Sequence, residues 1–171
     1  EQAELEAPDF TLVNWRAVGG TMMKALAHVC KEQNIKSIGF ESDALSFGEY
    51  SQLKAETDAE LIPTENVVEN LRSIKTPEEI EDLRAACEIS CRAFYRILDD
   101  IRVGVTEKEL AAKLSSYMVF EGADTKPYGN ILISGPNTSL LHGIPSERAV
   151  QYVDFVLMDY GCQFNGYMSD M

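Results

Sequence analysis

The stretch MDYGCQFNGYMSDM, Met158 to Met171, decides how the second half of this chain folds. An Asn-Gly pair between two strand-like runs is a strong signal for a type I′ hairpin, because both central residues of that turn need positive φ. A two-residue turn at Asn165-Gly166 sets Phe164 opposite Tyr167, Gln163 opposite Met168, Cys162 opposite Ser169 and Gly161 opposite Asp170. Strand side chains alternate, so Asp159 shares a face with Gly161. Asp159 and Asp170 then become diagonal neighbours on one face, with backbones about 7–8 Å apart. Gly161 leaves room beside Asp170. A one-residue slip of the turn would send the two carboxylates to opposite faces.

On the buried side of a sheet two ionised carboxylates would repel, and each would carry a desolvation cost. Water, a shared proton or a divalent cation relieves that, and hard oxygen ligands favour Mg, Ca or Mn. The plainer reading makes Asp159 a turn cap and leaves Asp170 exposed.

Upstream of the hairpin, VDFVLMDYG, Val153 to Gly161, is a mostly apolar run that reads as a buried strand. YGNILISG, Tyr128 to Gly135, is rich in β-formers and ends in a Gly-Pro-Asn turn. Two helices precede them. Thr76 caps the first, with Pro77 at its first position and Glu79 completing a capping box. Ile80, Leu83, Cys87, Cys91, Phe94, Leu98 and Ile101 recur at helical spacing and predict its packed face. After Gly104, Thr106 and Glu109 form a second capping box, and Leu110, Leu114, Tyr117 and Met118 stripe a helix ending near Gly122. Two helices followed by an antiparallel sheet make an α+β region.

The first part alternates helix and strand. Val18 to Gln33 reads as a helix and Ile35 to Ser42 as a short strand. Ser46 and Glu49 open a helix through about Ala55, and Ala59 to Thr64 is a second strand, ended by Pro63. This order suggests a small α/β layer. Glu65 to Lys75 reads as a connecting helix, which places the domain boundary near residues 65 and 66.

Composition narrows the function classes. With 15 basic and 28 acidic residues the net charge is -13, a field that does not attract nucleic acid or an anionic membrane surface. No apolar run is long enough for a membrane span, and the acidic start lacks the features of a signal peptide. Cys30, Cys87, Cys91 and Cys162 form no C-x-x-C pair, and read as small buried hydrophobes in a reducing compartment, hence a cytoplasmic protein. His28 has no motif around it and reads as structural or superficial.

Four ordered motifs carry a resemblance: RSIKTPEEI (72–80), GVTEKEL (104–110), SGPNTSLLHGIPSER (134–148) and MDYGCQFNGYMSDM. Together they resemble the Xaa-Pro peptidases, aminopeptidase P and prolidase, of the methionine aminopeptidase and creatinase superfamily. The resemblance implies the first half of a pita-bread catalytic domain over 66–171. Before it, 1–65 would be the tail of a small α/β creatinase-type N-terminal domain. It implies a metal-dependent hydrolase with two divalent ions, usually Mn²⁺, held by two Asp, one His and two Glu. Asp159 and Asp170 match the two Asp positions, and the other ligands are expected beyond Met171. The 171-residue chain is therefore expected to be an inactive, truncated peptidase. His142 matches a histidine that binds substrate or steadies the oxyanion. The implied substrate is a peptide with proline at its second position, and the intact enzyme is expected to be a homo-oligomer. Prolidase and a non-catalytic interaction module stay open as alternatives. Leu141 stands where the family commonly has Pro, and Val153 where Gly usually precedes Asp154. Creatinase lacks the metal aspartates, so their presence argues against creatine hydrolysis.

Overall fold

The structure is a computed structural model that describes residues 2–124 and 129–171. The backbone separates into two compact units that meet at Ile74 and Lys75. Tyr128, where the predicted strand of the second region begins, lies outside the described residues.

The first unit contains α1 (Gln2–Glu6), α2 (Met22–Glu32), β1 (Ser37–Glu41), α3 (Phe47–Glu56), β2 (Glu60–Thr64) and α4 (Val67–Ser73). Helix α2 starts later than its apolar spacing predicts. Gly19 and Gly20 both adopt positive φ, and the Thr21 side chain accepts the Lys24 N–H instead. Ser46 and Glu49 make the reciprocal box expected at α3. β1 and β2 pair in parallel, with Ser37 beside Glu60 and Glu41 beside Thr64. A parallel pair needs a crossover, and α3 supplies it. Pro63 does not end β2 as expected. It sits within the strand opposite Phe40, which is tolerated because, among the described residues, β2 is an edge strand with no further partner awaiting that missing N–H.

The second unit contains α5 (Pro77–Leu98), α6 (Glu107–Phe120), β3 (Ile131–Ser134), β4 (Val156–Asp159), β5 (Gln163–Phe164) and β6 (Tyr167–Met168). Both helices start at the capping boxes of Thr76 and Thr106. The predicted stripe of α6 is correct in Leu110, Leu114 and Met118, all fully buried.

The predicted stripe of α5 is displaced by one position. Its buried residues are Ala86, Ile89, Ser90, Ala93 and Ile97, while Cys87 and Cys91 are exposed. One residue turns a helix by about 100°. Small side chains face the core here, and they carry little weight in a search for bulky apolar periodicity. The cysteine reading is thus correct for buried Cys30 and Cys162 and wrong for the other two; all four are free thiols.

β3 and β4 are antiparallel, with Ile131 opposite Asp159 and Ser134 opposite Val156. β4 is shorter than the predicted strand, because Val153 belongs to a turn and both Val153 and Phe155 are exposed. β5 and β6 form the expected hairpin in the expected register, Phe164 with Tyr167 and Gln163 with Met168. Asn165 and Gly166 have φ of 48° and 85°, as a type I′ turn requires. The register continues past the named strands. Ser169 N–H donates to Cys162 O at 2.9 Å, and Tyr160 and Met171 exchange both backbone hydrogen bonds at 3.0 and 2.9 Å.

The core of this unit joins the buried faces of α5 and α6 to Leu132, Val150, Tyr160 and Cys162. No helix among the described residues is long and apolar enough to cross a membrane.

Candidate functional site

The hairpin register brings Asp159 and Asp170 to one place. Both line an open cavity of about 670 Å³, together with Thr138, Leu140, Leu141 and Leu157. Its size is that of a small-ligand site. One element of the expectation needs correcting: both carboxylates are exposed rather than buried. Each keeps its hydration, so water screens their mutual repulsion and the desolvation argument for a cation does not apply. What remains is their common orientation and their hard oxygen chemistry, which suits a divalent cation with water completing its sphere. Among the described residues, no group of three or more His, Cys, Asp or Glu side chains is placed to hold a metal ion.

His142 is exposed and is not among the residues lining this cavity, although Leu140 and Leu141 beside it are. His28 lines a different cavity, in the first unit.

Asp170 is anchored from below by a buried polar cluster. The hydroxyls of Ser90 and Ser169 lie 2.6 Å apart, and the Cys162 N–H donates to Ser169 Oγ at 3.0 Å. Tyr160, fully enclosed, donates its hydroxyl to Ser90 O at 3.1 Å. Burial pushes its phenol up to about 12. These bonds tie the returning strand to α5, one residue before Asp170.

A second network lies beneath the loop that carries His142, and sequence reasoning missed it. Glu107, at the first position of α6, is fully buried. Its Oε1 accepts from Ser134 N–H at 2.7 Å, Ser134 Oγ at 2.9 Å and Asn137 Nδ2 at 3.0 Å. Its Oε2 accepts from Ser146 N–H at 3.0 Å and Ser146 Oγ at 2.7 Å. Burial pushes this carboxyl up, but the bonds from Ser146 and Ser134 together outweigh it and hold the group below its ordinary range. An acidic residue in a first helical turn is common, since it complements the helix dipole. Glu107 lies within the GVTEKEL motif, but its residue type and position alone do not separate it from a surface residue.

Beside this carboxylate, Arg148 pairs with Asp154 at 2.7 Å and donates to Ser134 Oγ at 2.6 Å. The Arg148 guanidinium, followed by the Gln151 N–H, holds the Asp154 carboxyl below its usual value.

Comparison with known proteins agrees with this division of the chain. The model of the creatinase/prolidase N-terminal domain matches residues 1–74, and that of metallopeptidase family M24 matches residues 81–171. The chain belongs to metallopeptidase family M24. The uncharacterized peptidase YqhT of Bacillus subtilis is 36% identical over all of this chain, which covers 48% of that protein. An Xaa-Pro dipeptidase from Bacillus anthracis superposes with a TM-score of 0.83 at 34% identity, covering 99% of this chain and 56% of that one. An X-Pro aminopeptidase from Thermotoga maritima superposes with a TM-score of 0.84 at 30% identity, covering 99% and 49%. The fold is thus a creatinase-type N-terminal domain followed by part of a pita-bread domain. The chain spans about half the length of these relatives.

Proposed function

We propose that this chain contributes two metal-binding aspartates, Asp159 and Asp170, to an Xaa-Pro aminopeptidase. The reaction would cleave the bond between an N-terminal residue and a following proline. The observation that carries this reading is that Asp159 and Asp170 share the lining of one cavity. Relatives named Xaa-Pro aminopeptidase and Xaa-Pro dipeptidase both match the chain, so prolidase activity is the neighbouring alternative. The two differ in how the far end of the peptide is held.

Asp159 and Asp170 would hold divalent cations, Mn²⁺ by family resemblance. When bound, such ions polarise a carbonyl and lower the pKa of water. His142 would donate a hydrogen bond to the oxygen of the scissile carbonyl as charge develops there. Leu140, Leu141 and Leu157 give the same cavity an apolar wall. That wall suits a proline ring, whose amide has no N–H to satisfy.

The test is a Mn²⁺ titration of the protein followed by electron paramagnetic resonance, with Asp159→Asn and Asp170→Asn as comparisons. Wild type is expected to withdraw free Mn²⁺ from solution and each variant to do so at least about tenfold more weakly, a cost of about 1.4 kcal/mol. Equal binding by all three proteins would remove the metal role from both aspartates. Ala-Pro and Ala-Pro-Ala hydrolysis with Mn²⁺ is the second arm. Two carboxylates leave most of the coordination to water, so the 171-residue chain alone is expected to give no turnover. Robust turnover would place the chemistry elsewhere.

A further inference from the structure

We propose that Glu107 is a positioning residue for His142, its buried carboxylate tying together the two ends of the loop that carries the imidazole. The proposal rests on the role assigned above to His142 and the aspartate pair.

The loop leaves β3 at Ser134 and returns at Ser146. Glu107 binds the backbone N–H and the hydroxyl at both points, one carboxylate oxygen serving each end. A compact loop whose ends are held close is an Ω-type loop. Three further contacts follow the same plan. Asn137 reaches back from inside the loop to Oε1. Lys108 N–H donates to Ser146 O at 3.1 Å, and Glu107 N–H to Arg148 O at 3.0 Å. The start of α6 is thus fastened to the returning segment by main chain as well as side chain.

Between the two fastened ends, Leu140 and Leu141 line the aspartate cavity, while Gly143 is buried against Ile133. His142 lies between the residue that faces the cavity and the residue that faces the core.

A buried carboxylate is a poor way to gain stability alone, since an apolar group of the same shape often does as well. Its particular property is geometric. Two oxygens with several lone pairs hold five donors at once, from segments 12 residues apart (146 minus 134). No apolar side chain does that.

The experiment uses isotope-labelled protein with substoichiometric Mn²⁺ and reads the paramagnetic broadening of histidine ring protons. The chain has two histidines, so His28 in the first unit is the internal reference. Glu107→Gln places an amide N–H₂ against a donor and opens one end of the loop. Ser146→Ala is the milder variant, losing the hydroxyl's bond to Glu107 and the one it accepts from the Arg148 N–H while keeping the backbone bond to Glu107; it carries the test should Glu107→Gln not fold.

In both variants the Ser134 and Ser146 amides are expected to exchange faster relative to the Leu114 amide, by about tenfold or more in Glu107→Gln. The His142 ring is expected to gain mobility in carbon relaxation, and its broadening by Mn²⁺ to fall several-fold while Mn²⁺ affinity stays unchanged. Unchanged amide exchange and ring relaxation in both variants would overturn the positioning role, whatever the metal does. Mn²⁺ that leaves the Asp159 and Asp170 signals of wild type sharp would overturn the metal reading instead, and the exchange and relaxation data would still decide Glu107.

Discussion

Val153 is a β-branched residue held at φ of 64°, a backbone region that such residues rarely adopt. It is the third residue of a turn from Gln151 to Asp154. Asp154 N–H donates to Gln151 O at 3.3 Å, and Gln151 N–H donates to Asp154 Oδ2 at 2.7 Å. A turn with positive φ at its third position has type II geometry and is ordinarily served by Gly or Asn. The left-handed conformation costs an L-residue about 1–2 kcal/mol, and Val153→Gly removes that cost. Glycine also frees the unfolded chain, which returns about 0.4–1 kcal/mol. The Val153 side chain is 86% exposed, so almost no burial is lost with it. The net expectation is a stabilisation of about 0.5–1 kcal/mol. For a unit of under 100 residues that is a rise in Tm of about 2–8 °C. Scanning calorimetry of wild type, Val153→Gly and Val153→Asn measures it, and Asn is expected to behave similarly because it tolerates this region. A Val153→Gly protein no more stable than wild type would refute the reasoning. The strain would then be offset by a contact that the exposed side chain does not show.

Two other expectations concern the buried networks. Ser169→Ala removes the acceptor of the Cys162 N–H and the partner of Ser90, and is expected to cost about 2–3 kcal/mol in denaturant unfolding. Ser90→Ala loses the shared bond, about 1 kcal/mol, and a weaker contact to Cys162 Sγ at 3.4 Å, so the double variant should fall short of additivity by about the shared bond; full additivity would mean the two hydroxyls are not bonded. Glu107→Gln is expected to destabilise by about 2–4 kcal/mol at pH 7, since at least one buried N–H then faces an amide N–H₂. The Glu107 carboxyl titrates below its unfolded value, so its contribution is present above that value and is lost as pH falls through the folded one. The gap between wild type and Glu107→Gln should therefore be flat above about pH 5 and narrow in acid; a gap that widens there would contradict the assignment.

Much of the candidate site was legible because the hairpin rule is local. Asn165-Gly166 dictates its own turn, and counting outward from that turn places Asp159 beside Asp170 without knowledge of the rest of the molecule. Where reading failed, the answer depended on partners far away in sequence. Cys87 and Ala86 are neighbours, and only the elements packed on α5 decide which of them is enclosed. Val153 extends an apolar run in the sequence, yet Asp154 is claimed by Arg148 and Gln151, and the chain must turn there to deliver it.

The sequence by itself determined the helix starts at Ser46, Thr76 and Thr106, the closing hairpin and its register. Each of these follows from contacts within a few residues, where backbone geometry leaves few choices. Only the tertiary structure decided that the aspartate pair stands exposed on an open cavity, and that Glu107 is sealed beneath the loop of His142. Burial is a property of the assembled fold: an acidic side chain in a first helical turn becomes a buried tie when two serines from distant segments close over it.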